Sequence, residues 1–145
     1  MRLRSLLFVP GDSEKKFARA VQGNADVLIL DLEDSVAPAI KPQARGIVAN
    51  WLASAAETRA SLFVRPNPLD SGLIDEDLAA IVRPGLAGLL VPKANGAEDI
   101  AEIARKLDRL EAAAGLAPGT VKIAVVSTET PLVMFNLQSY TPPHP

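Results

Sequence analysis

The chain has 145 residues, of which 48% are hydrophobic and 22% charged, and its formal net charge is −2. This length and composition indicate one globular domain of ordinary size and exclude a disordered chain. Acidic and basic residues are interspersed, which gives no basic patch for a nucleic acid, and no apolar run approaches the roughly 20 residues of a membrane span. We therefore expect a cytoplasmic protein with neither nucleic-acid nor membrane partners.

The inventory of reactive side chains limits the chemistry that this chain can perform. Cysteine is absent, which excludes disulfides, thiolate metal sites and cysteine nucleophiles. The single histidine, His144, lies in a proline-rich tail, so we do not expect a histidine base. Any metal site would have to use oxygen ligands, and such ligands favour Mg2+ or Mn2+ over zinc.

Apolar runs and helical periodicities alternate from the N-terminus onwards. Residues 3–10 predict a first strand, and the Gly-Asp-Ser that follows signals a turn and a helix start. That helix has an apolar stripe and ends near Gly23. Residues 27–31 predict a second strand, whose apolar run is typical of burial on both faces. A strongly periodic helix is predicted from Pro42 to Ala55.

The same alternation continues through the second half of the chain. Further strands are predicted at 61–65, 88–92 and 121–127, with helices at 75–82 and 97–114. Pro131 could begin another helix, but the final Thr-Pro-Pro-His-Pro cannot continue one. Strict alternation of strands and helices predicts an α/β fold with a parallel sheet covered by helices.

Charged residues follow the predicted strands at the points where the strands end. These residues are Asp31, Glu33 and Asp34 after the second strand, Arg65 after the third, Lys93 after the fourth and Glu129 after the fifth. The carboxyl ends of parallel strands meet at one edge, where α/β folds bind their ligands. This mixture of charges suits an anionic substrate held by arginine and lysine beside a divalent cation held by carboxylates. The alternative interpretation is an ordinary lattice of ion pairs around the sheet.

Five motifs in unbroken order carry a resemblance to a known family. The segments LLFVPGDSEKKFARA, DVLILDLEDSVAPAIKPQAR, LFVRPN, LLVPKANGAEDI and STET resemble the citrate lyase β-subunit-like family of the HpcH/HpaI aldolase superfamily. That family includes citryl-, malyl- and citramalyl-CoA lyases, and the similarity runs from about residue 3 to residue 130. It implies a (β/α)8 TIM barrel, here truncated to about five parallel strands. Residues 1–131 would form the N-terminal part of the lyase domain and residues 132–145 a divergent or truncated tail.

The resemblance also implies a reaction and roles for individual residues. The reaction is Mg2+-dependent carbon–carbon cleavage of a hydroxyacyl-CoA, and relatives are often trimers. Arg65 matches an arginine that binds the substrate carboxylate or carbonyl, and Glu129 matches a metal-binding, catalytic glutamate. The remaining matches are Phe8 near the substrate, Lys15 at the acyl-CoA, Glu33 and Asp34 lining the metal pocket through waters, and Lys93 in a supporting role.

Two departures from the family pattern leave the activity of this chain open. Thr-Pro-Leu follows Glu129 where the family usually has Thr-Ala-Arg-Gly, and the second metal-binding aspartate of the family has no counterpart. Five strands also cannot close a barrel, which needs eight, so we expect weak Mg2+ binding, little turnover and exposed hydrophobic sheet edges. Thioester hydrolysis and the synthetic direction stay open as reactions.

Two other classes of protein share parts of this sequence pattern. A phosphoacceptor receiver domain also has about five βα units, but it needs acids after its first strand and a lone aspartate after its third. Here the first strand ends in Val-Pro-Gly and the third in Arg65. The second alternative is a non-catalytic remnant that binds acyl-CoA or pairs with an intact homologue through its open edges.

Overall fold

A single parallel sheet organises the computed structural model, which describes residues 3–140. The strands are β1 (Leu6–Pro10), β2 (Val27–Asp31), β3 (Ser61–Arg65), β4 (Leu86–Val91) and β5 (Lys122–Val125). They lie side by side in the order of the sequence, and every neighbouring pair is parallel. This confirms the predicted α/β architecture. It contradicts the receiver-domain alternative, since a doubly wound receiver sheet places its second strand outside the first.

Helices connect the strands as the periodicity predicted. They are α1 (Glu14–Ala20), α2 (Lys41–Ala53), α3 (Ile74–Ile81), α4 (Ala97–Ala113) and α5 (Pro131–Asn136), with 3-10 turns at Pro38–Ile40, Ala55–Glu57, Leu69–Ser71 and Leu137–Tyr140. The sequence left α5 undecided, and it forms because the Thr130 side chain accepts a hydrogen bond from the N–H of Val133 and caps the helix. The predicted boundary between residues 131 and 132 falls inside α5 and stays a prediction.

Three of the predicted strands differ from the structure in their bounds. The first strand begins at Leu6 rather than at residue 3, and the fifth covers Lys122–Val125 rather than 121–127. The fourth begins two residues earlier than predicted, at Leu86, and ends at Val91. The proline-rich tail and His144 lie outside the described residues.

The two faces of the sheet bury two separate apolar clusters. The larger cluster lies between the sheet and the helices and includes Leu28, Leu30 and Val64. A smaller cluster of Val27, Ile29, Phe63 and Leu90 lies on the opposite, inner face. Because side chains alternate between faces with a period of two, the strand residues that share a face with this inner cluster can be read directly from the sequence.

The edges of the sheet expose apolar side chains, as the sequence predicted. On β1, Leu6, Leu7 and Phe8 are each nearly half exposed, and Phe135 on α5 is 87% exposed. Within residues 3–140, β1 and β5 are edge strands and the sheet does not close on itself. No helix in this part of the chain is long and apolar enough to cross a membrane.

Candidate active site at the carboxyl ends of the strands

Asp31 and Arg65 meet at the carboxyl ends of β2 and β3. Asp31 shares the inner face with Ile29, Arg65 shares it with Phe63, and the sheet register pairs Asp31 directly with Arg65. The guanidinium donates two hydrogen bonds to the carboxylate, Nε to Oδ1 at 2.8 Å and Nη2 to Oδ2 at 2.7 Å. Asp31 is 1% exposed, so this bidentate pair is buried. The alternation of side chains along each strand and the register of β2 and β3 together place this pair on the inner face of the sheet, at its carboxyl end.

Asp31 also shapes the loop that carries the two neighbouring acids. Its two carboxylate oxygens accept hydrogen bonds from the N–H groups of Glu33 and Ser35, at 2.9 and 3.1 Å. Such side chain to backbone bonds are typical of aspartate at a turn. Gly11 packs directly against the end of β2: its N–H donates to the Asp31 carbonyl oxygen at 2.8 Å, and a Cβ there would lie 2.6 Å from that oxygen.

Glu33 joins the two cations of the site. Its Oε1 accepts a hydrogen bond from Lys93 Nζ at 2.6 Å, and its Oε2 lies 3.1 Å from Arg65 Nη1 without the alignment of a hydrogen bond. Lys93 Nζ also lies 3.4 Å from an oxygen of the exposed Asp34. Glu33 itself is 3% exposed. The structure therefore brings together Arg65, Glu33, Asp34 and Lys93 as the strand-end pattern predicted.

Burial and pairing move the pKa values of the two buried acids in opposite directions. Burial raises the pKa of Asp31, but the hydrogen bonds from Arg65, Ser35 and Glu33 outweigh it and hold the pKa below its usual value. Burial raises the pKa of Glu33 above its usual value, although the hydrogen bond from Lys93 and the charge of Arg65 oppose this. The pKa of Lys93 is raised by the same hydrogen bond. The raised pKa disfavours the charged form of Glu33 but favours the charged form of Lys93, because desolvation acts mainly on the buried Glu33.

Glu129 reaches the site through the backbone of Lys93. Glu129 lies beyond the end of β5, and its Oε2 accepts a hydrogen bond from the Lys93 N–H at 2.8 Å. Lys93 has a φ of 51°, a left-handed conformation that costs a residue with a side chain on the order of 1 kcal/mol or more. Glu129 and the bend at Lys93 thus hold each other, and the Lys93 side chain is directed at Glu33.

The two remaining predicted residues have different positions. Phe8 lies on the inner face of β1, opposite Ile29, and the Arg65 guanidinium carbon lies 4.8 Å from the centre of its ring. Lys15 lies exposed in the first turn of α1. Within residues 3–140, no hydrogen bond or ion pair connects Lys15 with Arg65 or its partners, so the structure places Phe8 in the site and leaves Lys15 apart from it.

A buried polar network behind the site was not predicted from the sequence. It consists of Lys41 and Arg45 on α2, Asn67 after β3 and Asp77 on α3, all less than 10% exposed. Lys41 and Arg45 are four residues apart and share one helix face, yet both have side chains that are normally at the surface. The only sequence signal for their burial was the apolar periodicity of α2, which left these two charges on the side of the core.

The net charge of the site is negative, which favours the binding of a cation. We call Asp31, Glu33, Asp34, Arg65, Lys93 and Glu129 the rim cluster. Its four carboxylates and two cations leave a formal charge of −2. Within residues 3–140, no three acidic or histidine side chains come close enough together to enclose a metal ion. Mg2+ often takes only one or two protein carboxylates and completes its shell with water and substrate oxygens, so the rim cluster fits a partial Mg2+ site.

An α/β sheet in sequential parallel order, with ionisable side chains at its carboxyl end, is the arrangement found in the TIM-barrel class of folds. Comparison with known proteins makes this more specific. The HpcH/HpaI aldolase/citrate lyase family matches residues 4–139. The chain belongs to this family, whose members include CoA-ester lyases.

Individual relatives agree with this assignment. Citrate lyase subunit beta of Escherichia coli K12 is 37% identical over 129 residues, which cover 89% of this chain and 42% of the relative. Mitochondrial citramalyl-CoA lyase of Homo sapiens is 34% identical over 105 residues, covering 71% of this chain and 31% of the relative. The chain therefore spans about two fifths or less of the length of these curated relatives.

A solved structure confirms the fold. Protein CitE of Mycobacterium tuberculosis, in complex with magnesium and acetate, superposes with a TM-score of 0.65 at 30% identity. The match covers 92% of this chain and 48% of the solved chain. The five strands thus correspond to part of a family barrel, as the resemblance implied.

Proposed function

We propose that this chain forms the substrate- and metal-binding part of a Mg2+-dependent carbon–carbon lyase that cleaves a hydroxyacyl-CoA. The observation that carries the proposal is the rim cluster, a net acidic site with an oriented arginine at the carboxyl ends of the barrel strands. Relatives named citrate lyase, citramalyl-CoA lyase and malyl-CoA lyase support citryl-, citramalyl- or malyl-CoA as the substrate class. The name of another relative, (3S)-malyl-CoA thioesterase, keeps thioester hydrolysis as a related reaction of the same site.

Glu129 is the residue proposed to hold Mg2+ directly, with Glu33 and Asp34 contributing through waters. Glu129 is exposed and follows β5, and one of its oxygens already accepts the Lys93 N–H. When bound, Mg2+ would supply a Lewis acid that polarises the substrate oxygens. A metal-bound water that donates to Glu33 or Asp34 would compete with Lys93 Nζ for their carboxylate oxygens.

Arg65 is proposed to bind the substrate carboxylate or carbonyl. Asp31 holds Nε and Nη2, which fixes the plane of the guanidinium, while Phe8 covers one of its faces. A guanidinium fixed in this way stabilises negative charge on an oxygen without reorganising during the reaction. Lys15, exposed in the first turn of α1, is proposed to contact the CoA moiety.

Glu33 is suited to accept the proton of the substrate hydroxyl. Burial raises its pKa, which brings the carboxylate closer to the basicity that proton transfer requires. As the hydroxyl proton moves to Glu33, the carbon–carbon bond breaks, a carbonyl forms on one fragment and the electron pair passes to the thioester fragment as its enolate. Transfer of the same proton from Glu33 to that enolate carbon gives the acyl-CoA product and restores the Glu33 carboxylate.

A second candidate function is non-catalytic binding of acyl-CoA or pairing with a homologous chain. The observation that favours it is the row of exposed apolar side chains Leu6, Leu7 and Phe8 on edge strand β1. Pairing would add strands to this edge and bury those side chains. A homotrimer, as proposed from the family resemblance, is one form of association that sedimentation equilibrium would measure directly.

Calorimetric titration of the purified chain with Mg2+ tests the proposal, followed by cleavage assays with citryl-, malyl- and citramalyl-CoA. We expect Mg2+ binding that weakens at least tenfold in Glu129→Gln, because one of few carboxylate ligands is lost. Glu57→Gln is the matched control, since Glu57 is an exposed glutamate in the Ala55–Glu57 turn. Equal binding in wild type and Glu129→Gln would contradict the assignment. No Mg2+ binding and no cleavage by the wild type would support the second candidate.

A further inference from the structure

The strongest unexplained feature of the molecule is the buried ammonium group of Lys41. Its Nζ donates hydrogen bonds to the carbonyl oxygens of Leu32 and Glu33 at 2.6 and 2.7 Å, and to Asn67 Oδ1 at 2.6 Å. All three donors of the ammonium are therefore satisfied, as a buried charge requires. None of the three acceptors is a carboxylate, so Lys41 does not form a direct ion pair there.

The two carbonyl groups that Lys41 binds belong to consecutive residues. They flank the Cα of Glu33, so the bonds fix the orientation of the peptide groups on both sides of this residue. Once both peptide groups are fixed, the direction of the Glu33 Cα–Cβ bond is fixed as well. That direction carries the carboxylate to Arg65 and Lys93.

Asn67 holds Lys41 in turn and is itself held by Asp77. Asp77 Oδ2 accepts hydrogen bonds from the backbone N–H and the side-chain Nδ2 of Asn67, both at 2.7 Å. This leaves Asn67 Oδ1 facing Lys41. Asp77 Oδ1 accepts a hydrogen bond from Arg45 Nε at 2.6 Å, and Arg45 also contacts Glu76. Because Asn67 lies two residues after Arg65, the network joins the loop of Glu33 to the loop of Arg65.

The charges of the buried network cancel, which favours a role for Lys41 in orienting the loop of Glu33. Lys41 and Arg45 are balanced by Asp77 and Glu76, so the network adds no net charge to the rim cluster. Burial lowers the pKa of Lys41, while the nearby acids, Asp77 first, raise it. A buried charged group of this kind is costly, and replacing such groups by apolar ones is often neutral for stability.

We propose that Lys41 is a positioning residue that fixes the loop of Glu33 relative to Arg65 from behind the site. The inference rests on the proposed function for its catalytic meaning, but its geometric content can be tested without turnover. The amide N–H groups of Glu33 and Ser35, bonded to Asp31, report the order of this loop. The Arg65 Nε–H group, also bonded to Asp31, reports the orientation of the guanidinium.

The experiment measures amide hydrogen exchange and the Arg65 Nε–H resonance by NMR in Lys41→Met. Methionine keeps much of the apolar part of the lysine side chain and removes every hydrogen-bond donor of its ammonium group. We expect exchange at Glu33 and Ser35 to accelerate at least tenfold relative to the amide of Leu107 in the core helix α4, with a shifted Arg65 resonance. A purely global destabilisation would accelerate Leu107 equally, so this ratio separates positioning from stability.

Lys106→Met is the matched control. Lys106 also donates to a side chain from a helix, bonding Asp75 at 2.7 Å, but its acidic partners, Asp75 and Glu102, belong neither to the rim cluster nor to the network of Lys41. We expect its exchange ratios to stay within twofold of the wild type. Exchange ratios and an Arg65 resonance in Lys41→Met that equal those of the wild type would overturn the proposal.

If Lys41→Met does not fold, Asn67→Ala tests the positioning role of Lys41 instead. This variant removes one acceptor of Lys41 and leaves the two carbonyl bonds, so we expect an approximately threefold acceleration at Glu33 and Ser35. Unchanged exchange there would overturn the proposal. In a wild-type chain that cleaves a hydroxyacyl-CoA, Lys41→Met is expected to lower kcat at least tenfold with KM within threefold. Absence of cleavage by the wild type would count against the proposed function alone, since the NMR readouts need no substrate.

Discussion

An aspartate–arginine pair lies at each end of β2, one of them largely buried and the other exposed to solvent. Asp31 at the carboxyl end and Asp26 just before the strand each bind an arginine in bidentate fashion, Arg65 in one case and Arg4 in the other. The distances are alike, at 2.7–2.8 Å for the inner pair and 2.8–2.9 Å for the outer one. The exposure differs, since the arginine side chain is 13% exposed in the first pair and 70% in the second.

This difference shows that burial, more than bond geometry, separates a site from a surface contact. Water screens the pair of Arg4 and Asp26 and competes for its hydrogen bonds, so it contributes little to stability. The pair of Arg65 and Asp31 is largely desolvated, and loss of either partner removes the main hydrogen-bonded counter-charge of the other in a buried environment. The same environment strengthens the field that Arg65 presents to a bound anion.

The largest expected effect comes from Asp31→Asn. This change keeps the shape of the side chain but leaves the Arg65 guanidinium with Glu33 as its remaining acidic contact. We expect the free energy of unfolding to fall by about 3–5 kcal/mol, the cost of breaking a buried pair. Urea unfolding at pH 7 measures it, with Asp26→Asn as the matched control. Equal shifts of the unfolding midpoint in the two variants would contradict a role for burial.

An intermediate effect is expected for Glu33→Gln, and it depends on pH. Because burial raises the Glu33 pKa in the folded state, the stability it contributes is present below its usual pKa of 4.5 and is lost as the pH rises. Asp31, whose pKa is lowered, has the opposite dependence. The unfolding free energy of Glu33→Gln relative to the wild type should therefore rise with pH above 4.5, by at most about 1.4 kcal/mol per pH unit.

Urea unfolding at several values between pH 4.5 and pH 7 measures this difference. Glu57→Gln again serves as the control, since it removes an exposed carboxylate outside the rim cluster. A difference that falls with pH for Glu33→Gln would mean that Lys93 and Arg65 outweigh burial at this carboxylate.

The smallest effect on stability is expected for Arg4→Ala at the outer end of β2. The hydrogen bond from Arg4 is the main cause that lowers the pKa of Asp26 from 3.8 to about 2. The contribution of Asp26 to stability is therefore present above pH 3.8 and is lost as the pH falls towards 2. In Arg4→Ala, NMR titration of the Asp26 carboxyl should give a pKa raised from about 2 towards 3.8, while the backbone N–H of residue 4 stays as a donor. A pKa that stays near 2 would show that backbone donors, and not the Arg4 side chain, hold the charge.

Much of the rim cluster could be predicted from the sequence because it follows from strand order. Once parallel strands were recognised, Asp31, Arg65 and Lys93 had to lie at one edge, and the register of β2 and β3 did place Asp31 beside Arg65. The identity of the partners was less predictable. The sequence did not indicate that Lys93 would turn through a left-handed φ and hold Glu33, because that bend depends on the hydrogen bond from its N–H to Glu129.

The sequence by itself determined the alternation of strands and helices, the family and the residues at the strand ends, since these depend on local periodicity and chain order. Only the tertiary structure decided which charges are buried. Lys41 and Asp77 are separated by 36 positions in the sequence, and Asn67 brings them into one network only when α2 and α3 pack together. The physical reason is that desolvation and long-range hydrogen bonding depend on neighbours distant in sequence, which no local pattern encodes.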